Sequence, residues 1–280
     1  MIENQIYNAD FILEAQHLIP DKSVDLIVTD PPYLIGYDYW DNHSIEFHHA
    51  WLKECKRILK DNGTIWSFMA YCDKSGQTFL GYEFYNIMKQ YFYIDLRNSV
   101  VWARQKGRGS SKHLKSQRED IYYGTKYPPN VVKPTWNNLK MLREVCTPYM
   151  KDGRPRGWFL DENGKRVRWT GLGNVWTYTA PQYNSITDKQ IHSAQKPVMM
   201  IERMIRLSSN EGDLVFDPFM GSGTTAIAAK ISNRKYCGFE LDKNNFALLT
   251  NRIKTFNPKD YNGFSNVKIK VEKQTDFFNY

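Results

Sequence analysis

The stretch Val24-Asp25-Leu26-Ile27-Val28-Thr29-Asp30-Pro31-Pro32-Tyr33 decides how the rest of the chain is read. Residues 24–29 are an apolar run rich in β-branched side chains, and two prolines end it abruptly. Such a run reads as a buried parallel strand stopping at its carboxyl end. That end is where open α/β sheets bind their ligands. Proline has no backbone N–H and stiffens the chain on both sides. Residues 30–33 therefore hold a carboxylate, exposed carbonyls and one aromatic ring in a fixed relation. That set suits a planar base with an exocyclic amino group: acceptors for its N–H bonds and a ring face for stacking. A strand followed by a merely structural Pro-rich turn would use the same residues, and a second motif separates the two readings.

The second motif is Asp217-Pro218-Phe219-Met220-Gly221-Ser222-Gly223-Thr224-Thr225, which follows the short apolar run Leu214-Val215-Phe216 and leads into Ala226-Ile227-Ala228-Ala229. It reads as a glycine-bearing turn from a strand into a helix. Glycine lets the backbone come close to a ligand, and the helix start offers unpaired N–H groups. The third glycine of a G-x-G-x-x-G dinucleotide fingerprint is missing. Lys235 to Glu240 is the next strand, and Glu240 falls about 20 residues past the glycines, where a carboxylate can take both hydroxyls of a ribose. A nucleoside held without a pyrophosphate fits S-adenosylmethionine.

Helices and strands alternate along the first half of the chain. Ser44 opens a helix with Phe47, Trp51, Leu52, Cys55 and Ile58 at helical spacing, and Asp61-Asn62-Gly63 is expected to close it. Thr64–Met69 and Ile94–Trp102 read as strands, with a helix from Phe79 to Gln90 between them, and Glu119–Gly124 as a further strand. The alternation predicts an α/β fold with a doubly wound, mostly parallel sheet. Asp10, before Phe11, is either a helix N-cap or an acceptor at a strand end.

The rhythm breaks twice. Residues 104–118 form a basic Gly/Ser-rich loop in which Arg104, Lys106, Arg108, Lys112 and Lys115 suit phosphate contact. Residues 126–190 interleave Trp136, Trp158 and Trp169 with Arg154, Arg156 and other cations, as a surface that contacts a nucleic-acid backbone and stacks on bases would. A loop this long inside a compact domain is expected to be functional, and it reads as an inserted recognition subdomain. His192 to Pro197 leads into a helix at Val198–Ser208. The expected division is 1–125 for a catalytic half, 126–190 for the insert, 191–256 for a cofactor-binding half and 257–280 for a polar tail.

The 280 residues allow one large α/β domain with an insertion, and the net charge of +8 with a pI near 9.1 points to a polyanionic partner. No apolar run approaches the ~18–20 residues of a membrane span, and Met1-Ile2-Glu3-Asn4 lacks the basic start and apolar h-region expected of a signal peptide. The four cysteines (Cys55, Cys72, Cys146, Cys237) show no C-x-x-C spacing. They predict reduced thiols in a cytoplasmic protein, with neither a disulfide frame nor a metal site. The adjacent His48-His49 diverge on a helix and read as packing residues.

Taken in this order, DPPY, Gln195-Lys196-Pro197 and DPFMGSGTT resemble the DNA amino-methyltransferases of the β class, which methylate adenine N6 or cytosine N4. The resemblance spans residues 7–255. It implies that Asp30, Pro31, Pro32 and Tyr33 form the catalytic motif, and Asp in its first position favours adenine. It further implies that Asp217, Phe219, Gly221, Ser222 and Gly223 wrap the methionine part of S-adenosyl-L-methionine. Glu240 would hold the ribose, Asp10 and Phe11 would lie near the cofactor adenine, and Lys196 near the cofactor carboxylate. The basic loop before Glu119 matches a segment near DNA. The resemblance extends to a homodimer and a cognate restriction enzyme as partners. Cytosine N4 methylation, methylation of another planar amine or amide, and a DNA-binding protein without catalysis stay open as alternatives.

Overall fold

The computed structural model describes residues 2–36, 41, 44–73, 75–104, 114, 117–146, 148–181, 190–192, 194–258, 261 and 269–272. The first half runs β1 (Gln5–Tyr7), α1 (Phe11–Leu18), β2 (Val24–Thr29), α2 (Glu46–Ile58), β3 (Leu59–Ala70), α3 (Leu80–Met88), β4 (Tyr93–Ile94), β5 (Val100–Arg104) and β6 (Arg118–Thr125). Six strands follow: β7 (Asn138–Glu144), β8 (Met150–Lys151), β9 (Arg154–Pro155), β10 (Phe159–Leu160), β11 (Arg166–Gly171) and β12 (Val175–Tyr178). The chain then forms α4 (Val198–Ser208), β13 (Leu214–Asp217), α5 (Thr224–Ile231), β14 (Lys235–Phe239), α6 (Lys243–Thr255) and β15 (Ile269–Glu272).

A nine-stranded sheet carries the site, in the order β1-β14-β13-β2-β3-β6-β5-β12, with β4 on β6. Strands β1, β14, β13, β2 and β3 are mutually parallel; β6 runs against both β3 and β5. From β2 the chain moves outward to β3, and from β13 outward to β14 on the other side. The neighbouring pair β13 and β2 is therefore the topological switch point, where a ligand crevice opens beyond the carboxyl ends.

Period-two alternation splits the core between two faces. Leu26 and Val28 of β2 and Trp66 and Phe68 of β3 meet Met200, Met204 and Ile205 of α4 and Ala226 and Ile227 of α5. Ile27, Ile65 and Met69 point the other way, onto Phe11 of α1, Trp51 and Leu52 of α2 and Phe84 of α3. Both faces of the central strands are covered by helices, which is why those strands read as nearly continuous apolar runs.

Several expectations are corrected. Asp61-Asn62-Gly63 does not close a helix: α2 ends at Ile58, and β3 starts at once from Leu59, with Gly63 inside it. The run Ile94–Trp102 is two strands, β4 and β5, separated by a turn in which Asp95 takes both the backbone N–H and the guanidinium of Arg97. The region 126–190 is built of β-strands, and it does not stay apart from the main sheet. Val175–Tyr178 pairs in parallel with β5 at its edge. The tail is drawn in too, since Ile269–Glu272 pairs with β7 in a second, four-stranded sheet ordered β10-β11-β7-β15. Among the described residues no helix is long and apolar enough to cross a membrane. His48 is buried and accepts the Trp51 indole N–H at 3.1 Å, a packing role.

Candidate active site

Strands β2 and β13 end side by side, and each ends in Asp-Pro. Ile27 lies opposite Phe216 in the register, so Asp30 and Asp217 leave the sheet at the same edge. Both turns open into one cavity of about 1380 Å³. Ordinary small-molecule pockets hold about 300–1,000 Å³, so the space suits a nucleoside cofactor together with a second guest. Its wall includes Asp10, Phe11, Asp30 to Tyr33, Lys196, Asp217, Phe219 to Ser222 and Glu240.

The catalytic motif is held by residues far away in the chain. The Tyr33 hydroxyl donates to Asp30 Oδ1 at 2.5 Å, and Lys196 Nζ donates to Asp30 Oδ2 at 2.5 Å. Glu119, the buried second residue of β6, stands behind them. Its Oε2 is 3.3 Å from the Tyr33 hydroxyl and 3.5 Å from Lys196 Nζ, and its Oε1 is 2.9 Å from Arg104. The Lys196 ammonium also lies over the rings of Tyr33 and Phe68, at 5.5 and 5.2 Å from their centroids. Burial, reinforced by Glu119, raises the Asp30 pKa, and Lys196 works against that rise. Burial pulls Lys196 down, but the two carboxylates outweigh it, so the net shift is upward and the ammonium is retained. Burial and both carboxylates hold Tyr33 well above its ordinary value, as a hydroxyl donor.

The turn after Tyr33 takes an uncommon path. Leu34 and Gly36 both have φ of +60°, and the Asp41 carboxylate accepts the N–H groups of Leu34 and Ile35 at 2.8 and 2.9 Å. Asp41 thus fixes the direction in which the motif leaves the strand. Lys196 is delivered by a tight loop before α4, in which the Gln195 side chain accepts the Ile191 N–H at 2.9 Å and Pro197 starts the helix.

The glycine turn is knotted by its own Asp. Asp217 Oδ1 accepts the Phe219 N–H at 3.0 Å, and Oδ2 accepts the Thr225 hydroxyl at 2.7 Å. Burial pushes the Asp217 carboxyl up to about 7, against both bonds. Gly223 has φ of +75°, and its missing Cβ would meet Leu249 at 3.2 Å. Across the strand end, Glu240 Oε2 accepts the Gly221 N–H at 2.7 Å and Oε1 the Asp242 N–H at 2.9 Å. Each oxygen keeps lone-pair capacity toward the cavity. Burial raises the Glu240 pKa against those bonds. Asp10 caps α1 through Oδ1, which accepts the Ile12 N–H at 2.8 Å, and it also lines the cavity. Its two readings, cap and cavity acceptor, are therefore compatible. Phe11 packs on Phe216, Phe219 and Phe239 as the apolar wall beside it.

Sequence reasoning missed Glu119, Asp41, Gly238 and Arg252. A Cβ on Gly238 would run into the Asp217 carbonyl and lie 2.6 Å from Met220 Cε, so the glycine turn can rest only on a bare strand. Arg252 of α6 donates to the Ser222 carbonyl at 2.8 Å and braces the turn from outside. None of these has a local signature: Glu119 and Gly238 act from other strands of the sheet and Arg252 from a later helix, while Asp41 folds back on the turn at Leu34 and Ile35.

The residues read as DNA contacts scatter. Arg104 lines the cavity and is ion-paired with Glu119. Lys106, Arg108, Lys112 and Lys115 lie outside the described residues. Arg154 and Arg156 are exposed, at and just beyond β9 in the two-stranded β8–β9 sheet, away from the cavity wall. Lys196 meets Asp30 rather than the glycine turn. Among the described residues no group of His, Cys, Asp and Glu could hold a metal ion, and the cysteines are free thiols.

A doubly wound sheet with two Asp-Pro turns opening into one cavity at its switch point has the architecture of a nucleoside-cofactor transferase. Residues 24–251 match the family model described as DNA methylase, and the chain belongs to that family. Among curated relatives, Type II methyltransferase M.HpaI of Haemophilus parainfluenzae is 31% identical over 93% of this chain and 76% of its own length. DNA adenine methyltransferase YhdJ of Escherichia coli (strain K12) is 30% identical over 85% and 78%. Two solved structures share the fold. PvuII DNA methyltransferase (cytosine-N4-specific) has a TM-score of 0.63 at 16% identity, covering 92% of this chain and 89% of that one. The M1.HpyAVI–SAM complex has a TM-score of 0.55 at 23% identity, covering 89% and 98%.

Proposed function

We propose that this protein methylates the N6 amino group of adenine in DNA, using S-adenosylmethionine. The observation that carries the reading is the shared cavity: a carboxylate–aromatic turn and a glycine turn, from adjacent parallel strands, face one space. Bound S-adenosylmethionine supplies an electrophilic methyl on a sulfonium. The residues that line the cavity fit it: Glu240 would hold the ribose, the Gly221–Gly223 turn would allow close backbone approach, and Asp10 and Phe11 would lie beside the adenine.

N6 cannot be reached inside a stacked duplex, so the target base is flipped into the pocket. Unstacking costs a few kcal/mol, which stacking on Tyr33 partly offsets. Asp30 and the Pro31 carbonyl accept the two N6 hydrogens. The N6 lone pair is delocalised into the ring, and preorganised acceptors that draw N6 toward tetrahedral geometry localise it toward the methyl. Asp30 Oδ1, which accepts the Tyr33 hydroxyl, keeps lone-pair capacity for an N6 hydrogen. The Lys196 ammonium, bonded to Oδ2, favours the carboxylate form of Asp30 against burial. No covalent enzyme intermediate is needed, and no cysteine takes part.

Aspartate at position 30 and the relative named as an adenine methyltransferase support adenine. Cytosine N4 is the second reading, favoured by the likeness to the PvuII enzyme. The insert at 126–190 is read as the recognition unit, and a homodimer and a cognate restriction enzyme as partners, in the cytoplasm. The test is methyl transfer from labelled S-adenosylmethionine to mixed-sequence DNA, with the product nucleoside identified by mass. N6-methyladenosine is expected; N4-methylcytidine would overturn the base assignment, and no transfer with cofactor bound would overturn DNA as the substrate.

A further inference from the structure

Tyr71, Phe79 and Tyr82 make a line of exposed rings that starts in the wall of the main cavity. Tyr71 follows β3, which ends at Ala70, and it lines the cavity. Ser67 of β3 lies opposite Thr29 in the parallel register, so β3 leaves the sheet at the same edge as Asp30. The Phe79 ring is 5.0 Å from that of Tyr71, and the Tyr82 ring is 6.1 Å from that of Phe79, centroid to centroid. The three residues are 39%, 45% and 57% exposed. Single exposed apolar residues are ordinary, whereas a contiguous patch marks an interaction site.

The fold does not call for these rings where they stand. Helix α3 packs inward through Gly81, Phe84, Ile87 and Met88, and Tyr82 lies off that face. Phe79 takes the N-cap of α3 and makes no side-chain bond to the helix. Ser, Thr, Asp or Asn would stabilise a helix from that position, and Phe does not. A residue that breaks a local rule without a structural gain points to function.

The rings are nevertheless held firmly. The start of α3 is pinned to the sheet, with the Tyr122 hydroxyl donating to the Gly81 carbonyl at 2.6 Å. A Cβ on Gly81 would lie 2.7 Å from Asp120 Oδ2, so the helix sits as close as a bare backbone allows. The Arg118 guanidinium lies 4.3 Å from the Tyr71 centroid and is itself fixed by Asp120 at 2.7 Å. A surface ordered in advance loses less freedom when it binds.

The occupant follows from the chemistry and the position. Aromatic faces beside a cation stack on any base, because every base has a π-face. The patch is continuous with the cavity that the target base enters, and Arg104 and Arg118 both line that cavity. The net charge of +8 favours a polyanion, whereas a second copy of this chain would bring the same sign of charge. Flipping one base also strips its neighbour of a stacking partner, which an aromatic surface at the cavity lip can replace.

We propose that Tyr71, Phe79 and Tyr82 form a stacking platform for bases of the target strand next to the flipped one, so that more than one nucleotide is unstacked in each encounter. This rests on the reading of the protein as a DNA methyltransferase. The platform carries no hydrogen-bond readout and tolerates any base. It holds the opened strand so that the target base enters at Tyr33.

The experiment uses the full-length protein and duplex DNA in which single thymines beside adenines are replaced by photoreactive 5-iodouracil, with the crosslinked residue located by mass. Crosslinks to Tyr71, Phe79 or Tyr82 are expected. Phe79→Ala and Tyr82→Ala, both exposed positions, should each weaken DNA binding by about five- to 100-fold, the range for one lost base stack. The slope of log affinity on log salt should stay at the wild-type value, because no phosphate contact is removed. KM for DNA should rise with kcat kept, and Phe79→Tyr should restore affinity. Wild-type affinity in the double variant Phe79→Ala, Tyr82→Ala, with no crosslink to these rings, would overturn the proposal. So would a shallower salt slope, or a dimer that the double variant splits in sedimentation while DNA affinity holds, since that describes a contact between copies. Crosslinking and affinity do not depend on turnover. DNA held on the platform without methyl transfer would therefore overturn only the active-site reading, and a wild-type protein that binds no DNA would overturn both.

Discussion

Asp30-Pro31 and Asp217-Pro218 are the same dipeptide at the carboxyl ends of neighbouring parallel strands, yet they are held in opposite ways. The Asp217 carboxyl is met by its own turn, through the Phe219 N–H and the Thr225 hydroxyl. The Asp30 carboxyl is met by side chains, the Tyr33 hydroxyl and the Lys196 ammonium, with Glu119 behind. A carboxyl bonded within its own turn becomes part of a scaffold. A carboxyl held by side chains that can swing aside stays available for a substrate.

The largest effect expected from this contrast is at Asp30. Asp30→Ala should lower kcat for methyl transfer by about 100–1,000-fold, as loss of a preorganised partner does elsewhere. Calorimetric affinity for S-adenosylmethionine should barely move; normal turnover would sink the mechanism. Asp217→Ala should do the reverse kind of damage. It leaves a buried hydroxyl and an N–H unpaired, at about 1–3 kcal/mol each, and it should weaken cofactor binding together with urea resistance.

The Asp217 contrast has a pH signature. Its pKa in the fold is about 7, above the ordinary 3.8. The folded state therefore holds the proton more tightly, so this group's stabilising contribution is complete below about pH 4 and is lost as pH rises through 7. Urea midpoints measured from pH 4 to 8 should fall with pH more steeply for wild type than for Asp217→Asn. Parallel curves would mean that Asp217 does not titrate there.

Gly238→Ala sharpens the scaffold side. The added methyl strikes the Asp217 carbonyl and Met220, an overpacking worth about 1–3 kcal/mol, readable as a lower melting temperature. Tyr33→Ala should weaken DNA binding by about 1–3 kcal/mol through lost stacking, whereas Tyr33→Phe keeps the ring and should retain activity. The smallest effect belongs to the thiols. Cys72→Ser and Cys146→Ser should leave turnover unchanged, and a large loss in either would argue for a covalent step.

Much of the frame was legible in the chain. The strand ending at Thr29, the strand entering Asp217 and the helices from Glu46 and Val198 follow from periodicity and from the punctuation of Pro and Gly. Misreadings came where two elements abut. At Leu59 a helix passes straight into a strand, and Asp-Asn-Gly looked like a stop signal. Three strands of the insert are two residues long and exposed at both positions, too short to carry a period-two signal.

By itself the sequence determined the α/β frame, the two Asp-Pro turns and the family, because periodicity, proline stiffness and glycine freedom act within a few neighbouring residues. The tertiary structure alone decided the company each group keeps. Lys196 reaches Asp30 across 166 residues and Tyr33 meets Glu119 across 86. Val175–Tyr178 joins the main sheet and Ile269–Glu272 joins the insert. These pairings depend on strand order and on the direction each side chain takes from the sheet, and no local stretch of sequence encodes either.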